Sequence, residues 1–169
     1  MPLQKVVNSY PAPGVPGAKA TPDQSVYTPL NPLAAVDLPV GGFVFPVVSG
    51  GVIDNTQATN VAGEATEVLG FAERVINYVN FDLTGEGGLT VPAGSALTVA
   101  VRGDYWAVSS TAATVGQKVL ASRTDGSIST GAAAGGDTVD TGWVVKTPGE
   151  AGEPIIISNW NPTAAAPAA

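Results

Sequence analysis

The chain has 169 residues, of which 12% are charged, with 14 acidic against 7 basic side chains and a net charge of −7. It contains no cysteine and no histidine, which removes disulfides, thiolate chemistry and the side chain best suited to proton transfer near neutral pH. The basic residues, Lys5, Lys19, Arg74, Arg102, Lys118, Arg123 and Lys146, stand singly, so the clustered cations needed to hold nucleic acid or anionic lipid are missing.

The length suits one domain. Twenty-one glycines and 14 prolines are too many breakers for a helical bundle, and the chain is too apolar for disorder. The expected class is all-β: a compact barrel or sandwich-like domain with an extended Pro-rich N-terminal arm and a short flexible C-terminal tail.

The arm is expected over residues 1–36. Pro2, Pro11, Pro13, Pro16, Pro22, Pro29 and Pro32 punctuate it, each fixing its own φ and pushing its neighbour toward extended geometry. Tyr10, Val15, Val26, Tyr27 and Leu30 lie among them. Ordering such a run costs about 1–2 kcal/mol per residue. Its few apolar side chains do not offset that, so the run reads either as a floppy tail or as an arm that is ordered on another subunit.

The β domain is expected over residues 37–160. The longest apolar tract, Leu38 to Val48, is broken by Pro39, Gly41, Gly42 and Pro46 and is too short to span a bilayer. Within it, residues 43–48 read as a strand with Pro46 at an edge or bulge, and Gly50-Gly51 as the turn that follows. A weak helical signal covers Val61 to Leu69. Val68 to Arg74 and Val75 to Leu83 read as two strands or one bent strand, with Val79, Phe81 and Leu83 on a common face. Leu97, Val99 and Val101 alternate with Thr98, Ala100 and Arg102, the pattern of a strand with one buried face. Gly103-Asp104 then turns the chain into Tyr105–Val108.

Asp125-Gly126 predicts a type I′ hairpin pairing residues 118–122 with 127–130. The run Gly131–Gly136 predicts a mobile loop. Trp143–Val145 and Pro154–Ile157 read as the last strands, and residues 161–169 as a tail with little to pack.

Few residues are placed for chemistry. Arg102-Gly103-Asp104 spells an integrin-type tripeptide but reads as a turn. Asp125, Asp137 and Asp140 lack the dense oxygen spacing of a calcium loop. Glu64, Glu67 and Glu73 with Asp82 offer carboxylates at no defined separation for acid–base work. No nucleophile elbow and no phosphate-binding loop occur. The reading is therefore not an enzyme, with no catalytic residue, cofactor or metal site. Trp106, Trp143 and Trp160 read as core or interface anchors, with a sugar platform as the weaker option.

Four blocks carry a family likeness. They are Tyr10–Gly17 (YPAPGVPG), Gly70–Arg74 (GFAER), then Val91–Gly94 with Gly103–Ala107 and Gly116–Val119, and finally Trp143, Ala151–Glu153 and Ile157–Trp160. In these the chain resembles the capsid cement, or head decoration, proteins of tailed bacteriophages. The resemblance implies a virion protein on the outer face of the expanded capsid, tying neighbouring major capsid protein subunits together as a dimer or trimer. The arm residues Tyr10, Pro11, Pro13, Val15, Pro16, Val26, Tyr27 and Leu30 become candidate capsid contacts. No apolar signal segment follows Lys5, which predicts synthesis in the host cytoplasm without export. The competing reading is a tail- or fibre-associated module that recognises a host glycan.

Overall fold

The computed structural model describes residues 14–75 and 90–160; the strand expected to run on to Leu83 lies mostly outside them. The described residues form thirteen strands and no helix: β1 (Val26–Tyr27), β2 (Leu33–Ala34), β3 (Leu38–Pro39), β4 (Phe43–Ser49), β5 (Val52–Thr59), β6 (Gly70–Ala72), β7 (Thr90–Val91), β8 (Val99–Arg102), β9 (Asp104–Val108), β10 (Lys118–Ser122), β11 (Ile128–Gly131), β12 (Thr138–Val145) and β13 (Pro154–Ser158). The all-β class is as the composition predicts.

The helix signalled at residues 61–69 does not form. Gly63 adopts φ +53°, and the Ala62 amide is drawn to the Arg123 carbonyl at 2.8 Å. Ala62 and Ala65 are thereby buried within a series of turns.

Three sheets share the chain. Six strands run in the order β1-β8-β6-β4-β5-β2, five in the order β11-β10-β12-β13-β9, and β3 pairs with β7. All pairings between these strands are antiparallel except β2 with β5, and the isolated bridge of Ser109 with Ile128 is parallel as well. The five-stranded sheet curls until the chain just beyond β9 meets β11, where the Ser110 amide donates to the Ile128 carbonyl at 2.8 Å. Such closure removes open strand edges.

The six-stranded sheet is the middle layer. Phe43, Phe45, Phe71 and Ala100 face a core shared with Tyr105, Val119, Trp143, Ile155 and Ile157 on the five-stranded sheet. Their neighbours Val44, Ala72 and Val99 face a second core with Ala34, Leu38, Ala58, Val91 and Leu97. This corrects the one-sided reading of β8, because Val99 and Ala100 are both fully buried and point into different cores. An alternation of Val with Ala conceals a strand covered on both faces, since Ala is apolar enough for either.

Two glycine turns set the strand pairing. Gly50 and Gly51 both have positive φ, +58° and +78°, which gives the type I′ hairpin that joins β4 to β5. Pro46 sits where the pairing with β5 shifts register, residues 55–57 of β5 being left over, in keeping with the edge or bulge position that its missing amide predicts.

The second turn differs from expectation. β10 and β11 pair as predicted, but among the described residues none other than glycine has positive φ. Asp125-Gly126 is therefore not a type I′ pair. Residues 123–127 make a wider loop, in which the Gly126 amide donates to Ser122 O at 3.0 Å and Gly126 O accepts from the Phe43 amide at 2.9 Å. The loop is shaped by that reach to the other sheet.

The hydroxyls of Ser122 and Ser127, with the Ser127 amide, hold the Asp125 carboxylate below its ordinary range. Its contribution to stability is therefore full above the unfolded pKa of about 3.9 and is lost as pH falls through the lower folded value. Asp125→Asn is expected to flatten the dependence of melting temperature on pH below about pH 4. Thermal melts of both proteins between pH 2.5 and 6 check this. Identical slopes would show that the loop carboxylate carries no such linkage.

Candidate interaction surface

The proline-rich run does not hang free once it enters the described residues. The Gly17 amide donates to Trp106 O at 2.8 Å, the Trp106 amide to Ala18 O at 2.9 Å and the Ala20 amide to Asp104 O at 2.8 Å, so residues 17–20 line the outer edge of β9. The chain then pairs through β1 with β8, accepts the Leu97 amide at Pro32 O, and donates the Ala35 amide to Ala58 O at the far edge. The surface that the run was expected to borrow from another subunit is, for residues 17–35, the edges of its own sheets.

A half-exposed ionic contact to a buried carboxylate fastens this path. Glu73 is 8% exposed and accepts the Tyr105 hydroxyl at 2.9 Å, with Lys19 Nζ 4.0 Å from its other oxygen. Lys19 also sits 5.4 Å from the centre of the Tyr27 ring. Burial pushes the Tyr105 phenol up from its ordinary range, and the neighbouring Glu73 charge adds to that. The contact with Tyr27 and the charge of Glu73 raise Lys19 above its usual value despite partial burial. These groups thus keep their neutral phenol and charged ammonium forms across the working range. The cluster ties residue 19 to the domain.

Of the candidate contacts, Tyr10, Pro11 and Pro13 lie outside the described residues. Pro16 and Tyr27 are half-buried, whereas Val15, Val26 and Leu30 are exposed. The structure adds Leu33 and Val36, 48% and 43% exposed, which the sequence reading missed. Leu30, Leu33 and Val36 recur every third residue between prolines, and this spacing was the available signal. In β2, Ala34 turns inward and leaves Leu33 outward, beside Ala96. Four large apolar side chains, Val26, Leu30, Leu33 and Val36, thus lie exposed along one eleven-residue crossing.

The tryptophans separate into three environments. Trp143 is 2% exposed and meets the rings of Phe43, Phe71 and Tyr105 at 5.9, 5.9 and 6.0 Å. Trp106 is half-buried under Gly14, where a Cβ would collide with its indole. Trp160 is 42% exposed beside Thr21, Asp104 and Lys146.

The remaining chemical candidates are dispersed. Among the described residues no three His, Cys, Asp or Glu side chains gather to hold a metal. Asp140 pairs with Lys118 at 2.7 Å, and Asp125 accepts from Ser127. Glu64 and Glu67 line one groove while Glu73 is buried elsewhere, and Asp82 is outside the described residues. The Arg102-Gly103-Asp104 tripeptide forms the β8–β9 turn, with Gly103 buried and donating to Asn159 at 3.2 Å.

The family model of the XM1 gp53 minor capsid protein matches residues 3–159. The chain belongs to this minor capsid protein family. It is a structural, capsid-associated component of a phage virion. Among solved structures, a chain in the capsid of Myoviridae phage XM1 superposes with a TM-score of 0.62 at 15% identity, over 94% of this minor capsid protein and 98% of that chain. The head fiber gp8.5 N base of bacteriophage phi29 aligns with a TM-score of 0.39 at 11% identity, over 75% of this chain and 88% of that one. No curated protein matches the sequence.

Proposed function

We propose that this minor capsid protein is a cement. In this reading it binds the outer surface of the expanded head and ties neighbouring major capsid protein subunits together, acting as a dimer or trimer. The observation that carries the reading is the exposed apolar row Val26, Leu30, Leu33 and Val36, held on a crossing whose backbone is already hydrogen-bonded into the fold. A row fixed in this way loses little conformational freedom on docking, so more of its apolar burial appears as affinity. Burial is worth about 25 cal/mol per Å², and copies that grip two shell subunits gain further through effective concentration. The net charge of −7 favours the outer face, since packaged phosphate would repel the protein inside. Binding the expanded lattice alone would stabilise it by mass action.

Deleting residues 1–30 would also remove the Lys19 and Tyr27 contacts, so point changes on the exposed row are the cleaner test. The double substitution Leu30→Asp/Leu33→Asp is expected to leave the melting temperature within about 2 °C and to weaken binding to heads stripped of the protein at least tenfold. Sedimentation of the protein with such heads measures this. Binding equal to that of the unaltered chain would remove the row from the contact.

A further inference from the structure

The β4–β5 hairpin extends past the two cores. Beyond the bulge at Pro46 its inner face continues with Val48, which pairs with Ile53. Val48 and Val68 pack against the rim of the first core. The five-stranded sheet does not cover this end. What remains is a groove of about 420 Å³ between the hairpin and residues 64–69, with Pro46, Val48, Ile53, Val68 and Leu69 along it and Glu64 and Glu67 at its rim. Ile53 is 62% exposed. The Gly51 amide donates to Glu64 at 3.2 Å and closes the far end.

The backbone here is also open. Ser49 and Val52 flank the two-residue turn as the hydrogen-bonded pair, so the amide and carbonyl of Val48 point away from β5. β6 reaches only Phe43 and Val44 of β4. Among the described residues, the one loop hydrogen bond from the 64–69 side to β4 runs from the Leu69 amide to Val44 O. The edge at Val48 therefore offers a donor and an acceptor beside an apolar floor, the arrangement that accepts an added strand.

The rim charge decides between occupants. Among the described residues no basic side chain lines the groove, and the Arg123 guanidinium that lies nearby is turned to the carbonyls of Gly63 and Ala65. A second copy would bring a net charge of −7 against two carboxylates. Like charges across a contact cost affinity, and opposite ones supply it.

We infer that this groove receives an extended strand of a shell subunit, one apolar side chain seated between Val48 and Val68 and an adjacent Lys or Arg facing Glu64 and Glu67. The inference rests on the capsid-binding reading and gives the protein a grip separate from the apolar row.

The test compares binding of the full chain and three variants to heads stripped of the protein, at low and at moderate salt. Ile53→Asp is expected to weaken binding at least tenfold. Glu64→Lys/Glu67→Lys is expected to weaken it similarly and to remove the salt dependence shown by the unaltered chain. Val52→Asp, on the opposite face of the hairpin and 71% exposed, is expected to bind as the unaltered chain does. Melting temperatures of all three should stay within about 2 °C of the unaltered chain, because every altered side chain is exposed and the glutamate variant gives up only the exposed hydrogen bond from the Gly51 amide. Full binding by the Ile53 and glutamate variants overturns the groove while leaving the capsid reading intact. Equal weakening by Val52→Asp also overturns it, since the contact would then be the hairpin tip. An unaltered chain that does not bind heads overturns the capsid reading itself, and the groove proposal with it.

Discussion

Trp143→Ala is expected to lower the melting temperature by about 10 °C, the largest single-residue effect in the fold. The indole is 2% exposed and is the meeting point of three other rings: Phe43 and Phe71 from the six-stranded sheet, and Tyr105 from its own. Truncating a buried aromatic costs about 3–5 kcal/mol, because the transfer energy is lost and the cavity collapses only in part. For a chain of this size each kcal/mol moves the melting point by about 2–4 °C. Collapse is hindered here because the cavity would be walled by two sheets pinned to each other at Gly126 and Phe43. Calorimetry measures the change. Trp106→Ala provides the comparison, since a half-buried indole should lose less than half as much. Equal losses would show that the ring cluster is not the centre of the fold.

Gly126→Ala should cost about 3 kcal/mol for a different reason. Gly126 holds φ +70°, a conformation that costs an L-residue about 1–2 kcal/mol. A Cβ built there would strike the Phe43 carbonyl oxygen, and overpacking of this kind costs a further 1–3 kcal/mol. The backbone cannot shift without breaking the 2.9 Å hydrogen bond from the Phe43 amide to Gly126 O, which ties the β10–β11 loop to the middle sheet. Gly136→Ala, where a Cβ would meet open space, is the matched control and should melt within about 1 °C of the unaltered protein. If the two variants melted alike, the close approach at Phe43 would not be holding the sheets in register.

Both predictions turn on residues whose type was visible in the chain but whose role was not. Trp143 was legible as an anchor and Gly126 as a turn residue, because apolar aromatics and Asp-Gly pairs carry local signals. That the tryptophan gathers rings from both sheets, and that the glycine lies under a carbonyl eighty-three positions earlier, depends on contacts that no local pattern encodes. The same holds on the surface. Val26 and Leu30 were singled out as candidate contacts, while Leu33 and Val36 were passed over. Whether a side chain in a proline-rich run faces solvent is decided by which neighbouring strand takes its backbone.

Composition and spacing alone determined the all-β class, the strands at residues 43–48, 118–122, 143–145 and 154–157, the Pro46 bulge and the Gly50-Gly51 turn. Each follows from backbone restrictions of Gly and Pro or from runs of β-branched residues, which act within a few positions. Only the tertiary structure decided that the six-stranded sheet is buried on both faces, that residues 17–35 edge their own sheets, and that the β4–β5 hairpin overhangs an acidic, apolar-floored groove. Those are matters of which surfaces meet, set by the summed burial of side chains far apart in the chain.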